Sequence, residues 1–294
     1  PAYTSVTQVN EPIDLAVIVI PSKFVLQVIE ECAEADVKAV IVISAGFKEV
    51  GEKGAELERE LVRRCEEHDI RCIGPNCLGV ISPPAGLNAS FAATMPDSGN
   101  VGFLSQSGAL GTAVLDWFAG AEGKGLGISR LISYGNKADV DESDLIEALG
   151  KDEQTDVILA YVESIDDGQK FMKVARKVTT KKPVVVFKSG RTSAGARAAS
   201  SHTGSLAGSD RAYDAAFHQC GVLRASTAAE FFDYLIAFSR QNPPEGPAIA
   251  VVTNAGGPGI MATDAIESTN LEMASLSEAT EKRFQQELPA ESNI

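Results

Sequence analysis

The sequence predicts an α/β protein built on parallel sheets, and three observations carry that reading. Short runs of Val, Ile and Leu recur along the chain, as in IDLAVIVI (13–20), KAVIVI (38–43) and IRCI (70–73). Segments of helical length and helical spacing separate them. Small-residue turns of Gly, Ser, Ala and Asn close the strands. Strands alternating with helices of about 10–15 residues form βαβ units and a parallel sheet. The composition agrees: 44% of residues are hydrophobic but only 6% are aromatic, a mix that suits buried parallel strands covered by helices.

The elements follow in order. Residues 13–20 form a strand, 23–35 carry apolar residues at helical spacing, and 38–43 form a second strand. GAELERELVRRCEEH (54–68) is a charged amphipathic helix, and 70–73 a third strand. A turn-rich stretch from Pro83 to Asn100 sets a first domain boundary at Met95–Gly99. The alternation then resumes, with strands at 101–105, 127–134, 155–162 and 182–188. Helices are expected at 109–119, 141–149, 166–179, 209–219 and 227–240. Residues 189–208 are rich in Ser, Gly, Ala and Thr and lack periodicity; a stretch of that length inside a domain is usually functional or disordered. QNPPEGP (241–247) reads as a linker. PAIAVVT, NAGGPG and a helix over 260–267 then open a third α/β domain, followed by a short strand (LEMAS) and a helix over 277–287. Both ends read as cut: the chain opens on Pro1, and its last helical pattern runs into LPAESNI. Two or three domains suit 294 residues.

Composition excludes several classes. The formal net charge is −14 and no basic patch stands out, which argues against nucleic acid and anionic membranes. The cysteines (Cys32, Cys65, Cys72, Cys77 and Cys220) are odd in number, form no CxxC pair and have no His at metal-ligand spacing. They read as reduced cytosolic thiols, and no metal site is expected. The longest apolar run, Leu15–Ile20, falls far short of the roughly 20 residues of a membrane span. A cytoplasmic protein is the expectation. Dinucleotide-binding, P-loop and α/β-hydrolase glycine motifs are all missing from the sequence.

Several strand ends are placed to bind a ligand, because in open α/β sheets ligands sit at strand C-termini. IPS (20–22), ISAGF (43–47) and GPNCLG (74–79) are such turns, though each also suits an ordinary turn. SQSGALG (105–111) joins a strand to a helix. Unpaired N–H groups and the helix dipole there make an anion site; simple capping by Ser105 or Ser107 is the other reading. SSHTGSLAGS (200–209) is the most informative segment. His202 has no apolar neighbour to bury it, and an unprotonated imidazole is nucleophilic near neutral pH. A solvated loop histidine would look the same on its own. Glu163 directly follows the buried strand VILAYV; it suits either a site-mouth carboxylate holding an imidazole nitrogen or a solvated loop start. His68 sits in a charged helical pattern, and His218 in the apolar-rich AAFHQC helix, where it reads as structural.

The order of these motifs identifies a family. IDLAVIVIP, ISAGFKE, GPNCLGV, GFLSQSGALG, SYGNKADVDESD, AYVES, KSGRT…SSHTGSLAGS and VVTNAGGPG together resemble the ADP-forming (NDP-forming) acetyl-CoA and acyl-CoA synthetases of the succinyl-CoA synthetase superfamily. The resemblance runs over nearly the whole chain. It implies a Rossmann-like CoA-binding domain, truncated at its N-terminus, over 1–97. A flavodoxin-like CoA-ligase domain would span 98–242, and a second flavodoxin-like domain would begin at 247–294. It implies that His202 is phosphorylated, that Glu163 orients it, and that Ser105, Gln106, Ser107 and Gly108 hold the phosphoryl group. Pro21, Ser22, Ser44, Ala45, Gly46 and Asn76 lie where the family contacts CoA or the acyl phosphate.

The resemblance also implies an activity: acyl-CoA, phosphate and ADP are converted reversibly to carboxylic acid, CoA and ATP. The ADP/ATP and Mg site would lie on an ATP-grasp part absent from this chain, either a β subunit or a fused domain. A hetero-oligomer or a homo-oligomer would result. The rival reading is the synthetase-like, CoA-sensing regulatory domain of a protein acetyltransferase. Such domains tend to lose the catalytic His, whereas His202 and Glu163 are both present here.

Overall fold

The computed structural model describes residues 2–121, 123–192, 209–290 and 292. The chain divides after Gln241 into two units.

The first unit opens with a small parallel sheet ordered β1 (Leu15–Ile18), β2 (Ala39–Val42), β3 (Arg71–Ile73). Helices α1 (Val25–Glu34) and α2 (Glu52–Glu67) connect these strands. In α2 the buried residues are Gly54, Glu58, Leu61 and Cys65, spaced so that one stripe of an otherwise charged helix faces the core. Leu61 and Cys65 of that stripe pack with Val25, Ile29 and Cys32 of α1 against Val40, Val42 and Cys72.

The second sheet has seven strands. Its parallel part comprises β6 (Ser98–Ser105), β7 (Ile128–Ser133), β8 (Val157–Val162), β9 (Val184–Lys188) and β10 (Leu223–Ala225). The strand order is β10-β9-β8-β6-β7-β4-β5, with β4 at Gly79–Ser82 and β5 at Leu87–Ser90. Alternate side chains of one strand enter opposite cores, as the pleat demands. Ile158, Ala160 and Val162 of β8 pack with α4 (Glu142–Lys151), α5 (Gly168–Thr179) and α6 (Asp210–Gln219). Val157 and Leu159 pack with α3 (Gly108–Ala119) and α7 (Ala228–Arg240) on the other side. Both faces are covered, which is why these strands read as continuous apolar runs. The helices start on identifiable caps. Asp141 and Asp144 form a reciprocal capping box on α4, and Asp167 caps α5.

One expectation requires correction. Part of the stretch from Pro83 to Asn100, read as turns, forms a strand, and so do residues just before it. β4 (Gly79–Ser82) and β5 (Leu87–Ser90) make an antiparallel hairpin, and β4 pairs antiparallel with β7. The large sheet is therefore mixed rather than parallel. The hairpin lies N-terminal to the boundary placed at Met95–Gly99, yet it hydrogen-bonds to the sheet that follows that boundary. It also covers the second face of the small sheet, where Ile41, Cys77 and Ala89 are buried together against Leu15, Ile73 and Val80. Residues 1–241 accordingly cluster as one unit.

The second unit pairs β11 (Ala248–Ile249) with β12 (Glu272–Met273) in parallel and carries helices α8 (Gly256–Glu267) and α9 (Glu278–Glu287).

Candidate functional site

The turns after β1, β2 and β3 converge. A Cβ built on Gly46, at φ 106°, would stand 2.6 Å from Ser22 Oγ, so the first two turns touch. Ser44 ties them together: its hydroxyl accepts from Ile20 N–H at 3.1 Å. Pro21 is the residue just before the short helical turn Ser22–Phe24. The third turn begins with a cis Gly74–Pro75 bond, and Asn76 has a left-handed φ of 57°. Its N–H donates to Ser44 O at 3.0 Å. Asn76 Nδ2 donates to Asn136 Oδ1 at 3.2 Å. Asn136 in turn donates to Glu49 Oε2 and Glu58 Oε2, each at 2.8 Å. Burial works against the Glu49 carboxylate. Hydrogen bonds from Asn136 and from the Gly46 and Phe47 N–H groups outweigh it and hold the pKa below the ordinary value.

Helix α3 points its N-terminus at this cluster. A cavity of about 410 Å³ lies between them, lined by Ile43, Ala45, Asn76, Cys77, Leu78, Phe91, Gly108, Ala109 and Thr112. It joins three residues that the sequence placed in separate motifs: Ala45, Asn76 and Gly108. Cys77 is no nucleophile in this setting, since burial pushes its thiol up to about 12. The four residues of the expected phosphate cradle divide by role. Ser105 is fully buried and spends its hydroxyl on the backbone of Ser107, donating to its O at 2.7 Å and accepting from its N–H at 3.1 Å. Ser107 caps the helix by accepting from Leu110 N–H at 3.3 Å. Gln106 Oε1 accepts from Glu163 N–H at 2.6 Å and Ser164 N–H at 3.1 Å. Gly108 lines the cavity, where the first N–H groups of α3 have no helical partner and the dipole favours an anion.

Glu163 follows β8, the strand next to β6, so Glu163 and Gln106 stand side by side at the C-terminal rim of the sheet. Burial pushes the Tyr161 phenol pKa up; Ser189 opposes the shift and the neighbouring Glu163 charge adds to it. His202 lies outside the described residues, as do its neighbours over 193–208. His68 ends α2 with Nε2 3.0 Å from Glu30 Oε2, and His218 lies in the last turn of α6.

Sequence reasoning missed three rim residues: Asn136, Lys137 and Lys188, exposed by 8%, 8% and 2%. Lys188 lies over the Tyr213 ring at 4.7 Å, and burial, followed by the Arg224 charge, lowers its pKa. The available signal was a Lys at or just beyond the end of an apolar strand, in SYGNK and VVVFK.

A family model described as a CoA-binding domain matches residues 1–83, and one described as a succinyl-CoA ligase-like flavodoxin domain matches residues 98–238. The ADP-forming acetate–CoA ligase I of Archaeoglobus fulgidus is 49% identical over 294 residues, covering 100% of this chain and 42% of that protein. The chain belongs to the ADP-forming acyl-CoA synthetase family. Within that family, the α subunit of the ADP-forming acetate–CoA ligase I of Pyrococcus furiosus is 48% identical over 271 residues, covering 92% of this chain and 58% of the subunit. A solved acetyl-coenzyme A synthetase 1 of Ca. Korarchaeum cryptofilum, in complex with phosphate and ADP, is 43% identical with a TM-score of 0.89. It is covered over 62% of its length by 99% of this chain. The chain thus spans about half the length of the relatives it matches. Among the described residues, no helix is long and apolar enough to cross a membrane.

Proposed function

We propose that this chain is the CoA-binding and phosphohistidine-carrying part of an ADP-forming acyl-CoA synthetase, acting with an ATP-grasp part that binds ADP/ATP and Mg. The observation that supports it most is the cavity in which Asn76 and Ala45, from the CoA-binding domain, face the N-terminus of α3 at Gly108. The substrates are an acyl-CoA and inorganic phosphate. A phosphate oxygen attacks the thioester carbonyl, the C–S bond breaks, and CoA leaves as the thiolate, giving an acyl phosphate. An imidazole nitrogen of His202 then attacks phosphorus, and the P–O bond to the acyl group breaks with release of the carboxylate. ADP finally takes the phosphoryl group from His202, giving ATP and freeing the imidazole. Preorganised N–H donors stabilise charge on a transferring phosphoryl group, and the start of α3 supplies them. Glu163 is the carboxylate that orients the ring. A cytoplasmic enzyme with a β subunit or a fused β-like part fits this reading.

The test is phosphorylation of the full-length synthetase by ATP. One acid-labile, base-stable phosphate should form on His202. It should be lost in His202→Asn and kept in His218→Gln. Normal labelling of His202→Asn would overturn the assignment.

A further inference from the structure

We propose that Lys137 and Gln106 are positioning residues that hold Glu163 in place, and that the SYGNKADVDES segment exists in part to build this clamp. The inference rests on the role given to Glu163 above. Glu163 and Ser164 leave β8 at the sheet rim, and their backbone is gripped from two sides. Gln106 Oε1, from the turn after β6, takes both of their N–H groups, at 2.6 and 3.1 Å. Lys137 Nζ, from the turn after β7, donates to Ser164 O at 2.7 Å. The strands β7, β6 and β8 are consecutive in the sheet, so Lys137 reaches past β6 to the turn beyond it.

The Lys137 side chain is only 3% exposed, and its ammonium lies 3.1 Å from Glu142 Oε2 and 3.2 Å from Asp166 Oδ2. A buried ion pair gains little net stability, because desolvation offsets the attraction; well-packed apolar residues would serve a core as well or better. Lys137 also holds a left-handed φ of 50°, an uncommon conformation for a residue with a side chain. Both features are unfavourable if the only task is to fill space. They are accounted for if the ammonium must present three donors at one point, to a carbonyl and two carboxylates. A carboxylate that orients a reacting imidazole must keep its place to within about 0.5 Å, and supporting groups on rigid elements provide that.

The experiment measures His202 phosphorylation in a single turnover of the full-length synthetase, its steady-state KM for CoA and its thermal unfolding. The variants are Gln106→Leu, the charge-balanced pair Lys137→Met/Glu142→Gln, Glu163→Gln, and their combinations. Loss of a supporting partner typically costs about 10- to 100-fold, so Gln106→Leu and the pair variant should slow phosphorylation by that order while the KM for CoA is unchanged. If they act through Glu163, adding either to Glu163→Gln should cost little more. Full multiplication of the losses, or wild-type rates in folded variants, would overturn the inference and leave Glu163 in its role. A wild-type rate in Glu163→Gln alone would instead overturn the reading on which the inference rests, and the inference with it. Should the pair variant fail to fold, Gln106→Leu, at a partly exposed turn, decides by the same cycle.

Discussion

At the scale of single residues, the site is a division of labour that similar letters conceal. Ser105 and Ser107 read alike in SQSG, yet one hydroxyl is turned onto backbone and the other caps α3. Gly108 is the residue that reaches the cavity. A Cβ there would stand 3.6 Å from Leu78, an ordinary contact, so Gly108→Asp should fold, and an acid in a first helical turn is favourable. The new carboxylate would oppose a phosphoryl group by about 4 kcal/mol at about 4 Å and an effective dielectric near 20. His202 phosphorylation should therefore fall by more than about 100-fold, with the unfolding midpoint nearly unchanged. A folded Gly108→Asp protein that phosphorylates normally would remove α3 from phosphate binding. The small polar start of α3 was legible in the sequence because a helix N-terminus is a local feature. Lys137 was not. A lysine after a strand reads as solvated, and two of its three partners, Ser164 and Asp166, come from the turn after β8, with only Glu142 close in sequence.

At the scale of elements, the turns matter more than the strands they close. The turn after β7 lies against the turn after β3: Asn136 N–H donates to Pro75 O at 2.9 Å and Ala138 N–H to Gly74 O at 3.0 Å. Gly135 makes this approach possible. A Cβ on it, at φ 50°, would fall 2.3 Å from Asn76 O and 2.4 Å from Pro75 O. Gly135→Ala should therefore cost about 2–4 kcal/mol, read as a lower urea midpoint at constant slope. Gly86→Ala has a similar φ of 63° but open space around it, and should cost only about 1 kcal/mol. Equal losses would show that the conformation alone matters and that the turns do not press together. The parallel strands were legible because both of their faces are covered, which leaves unbroken apolar runs. The β4–β5 hairpin was not. LNAS is short, partly polar and half exposed, and the prolines between its strands signal turns rather than pairing.

At the scale of the whole molecule, sequence family and physical unit divide the chain differently. The family models meet between residues 83 and 98, but β4 is zipped to β7, with Val80 opposite Ile132 and Ile81 opposite Leu131. A fragment of residues 98–241 would expose the edge of β7 and leave a hole where Leu78 and Ile81 pack, an invitation to edge-to-edge association. It should aggregate or unfold well below a fragment of residues 1–241 when the two are compared by size-exclusion chromatography and thermal melting. Matching stability would show that the hairpin is an ornament. The same pairing places a demand on the order of synthesis. Ser82 leaves the ribosome about 50 residues ahead of Ser133, the last residue of its partner strand. At about 5–20 residues per second the hairpin waits some 3–10 s for an edge that does not yet exist. The amino-terminal sheet cannot close its second face on a settled hairpin until then, so the nascent chain holds an unfinished layer that is completed only when the seven-stranded sheet arrives.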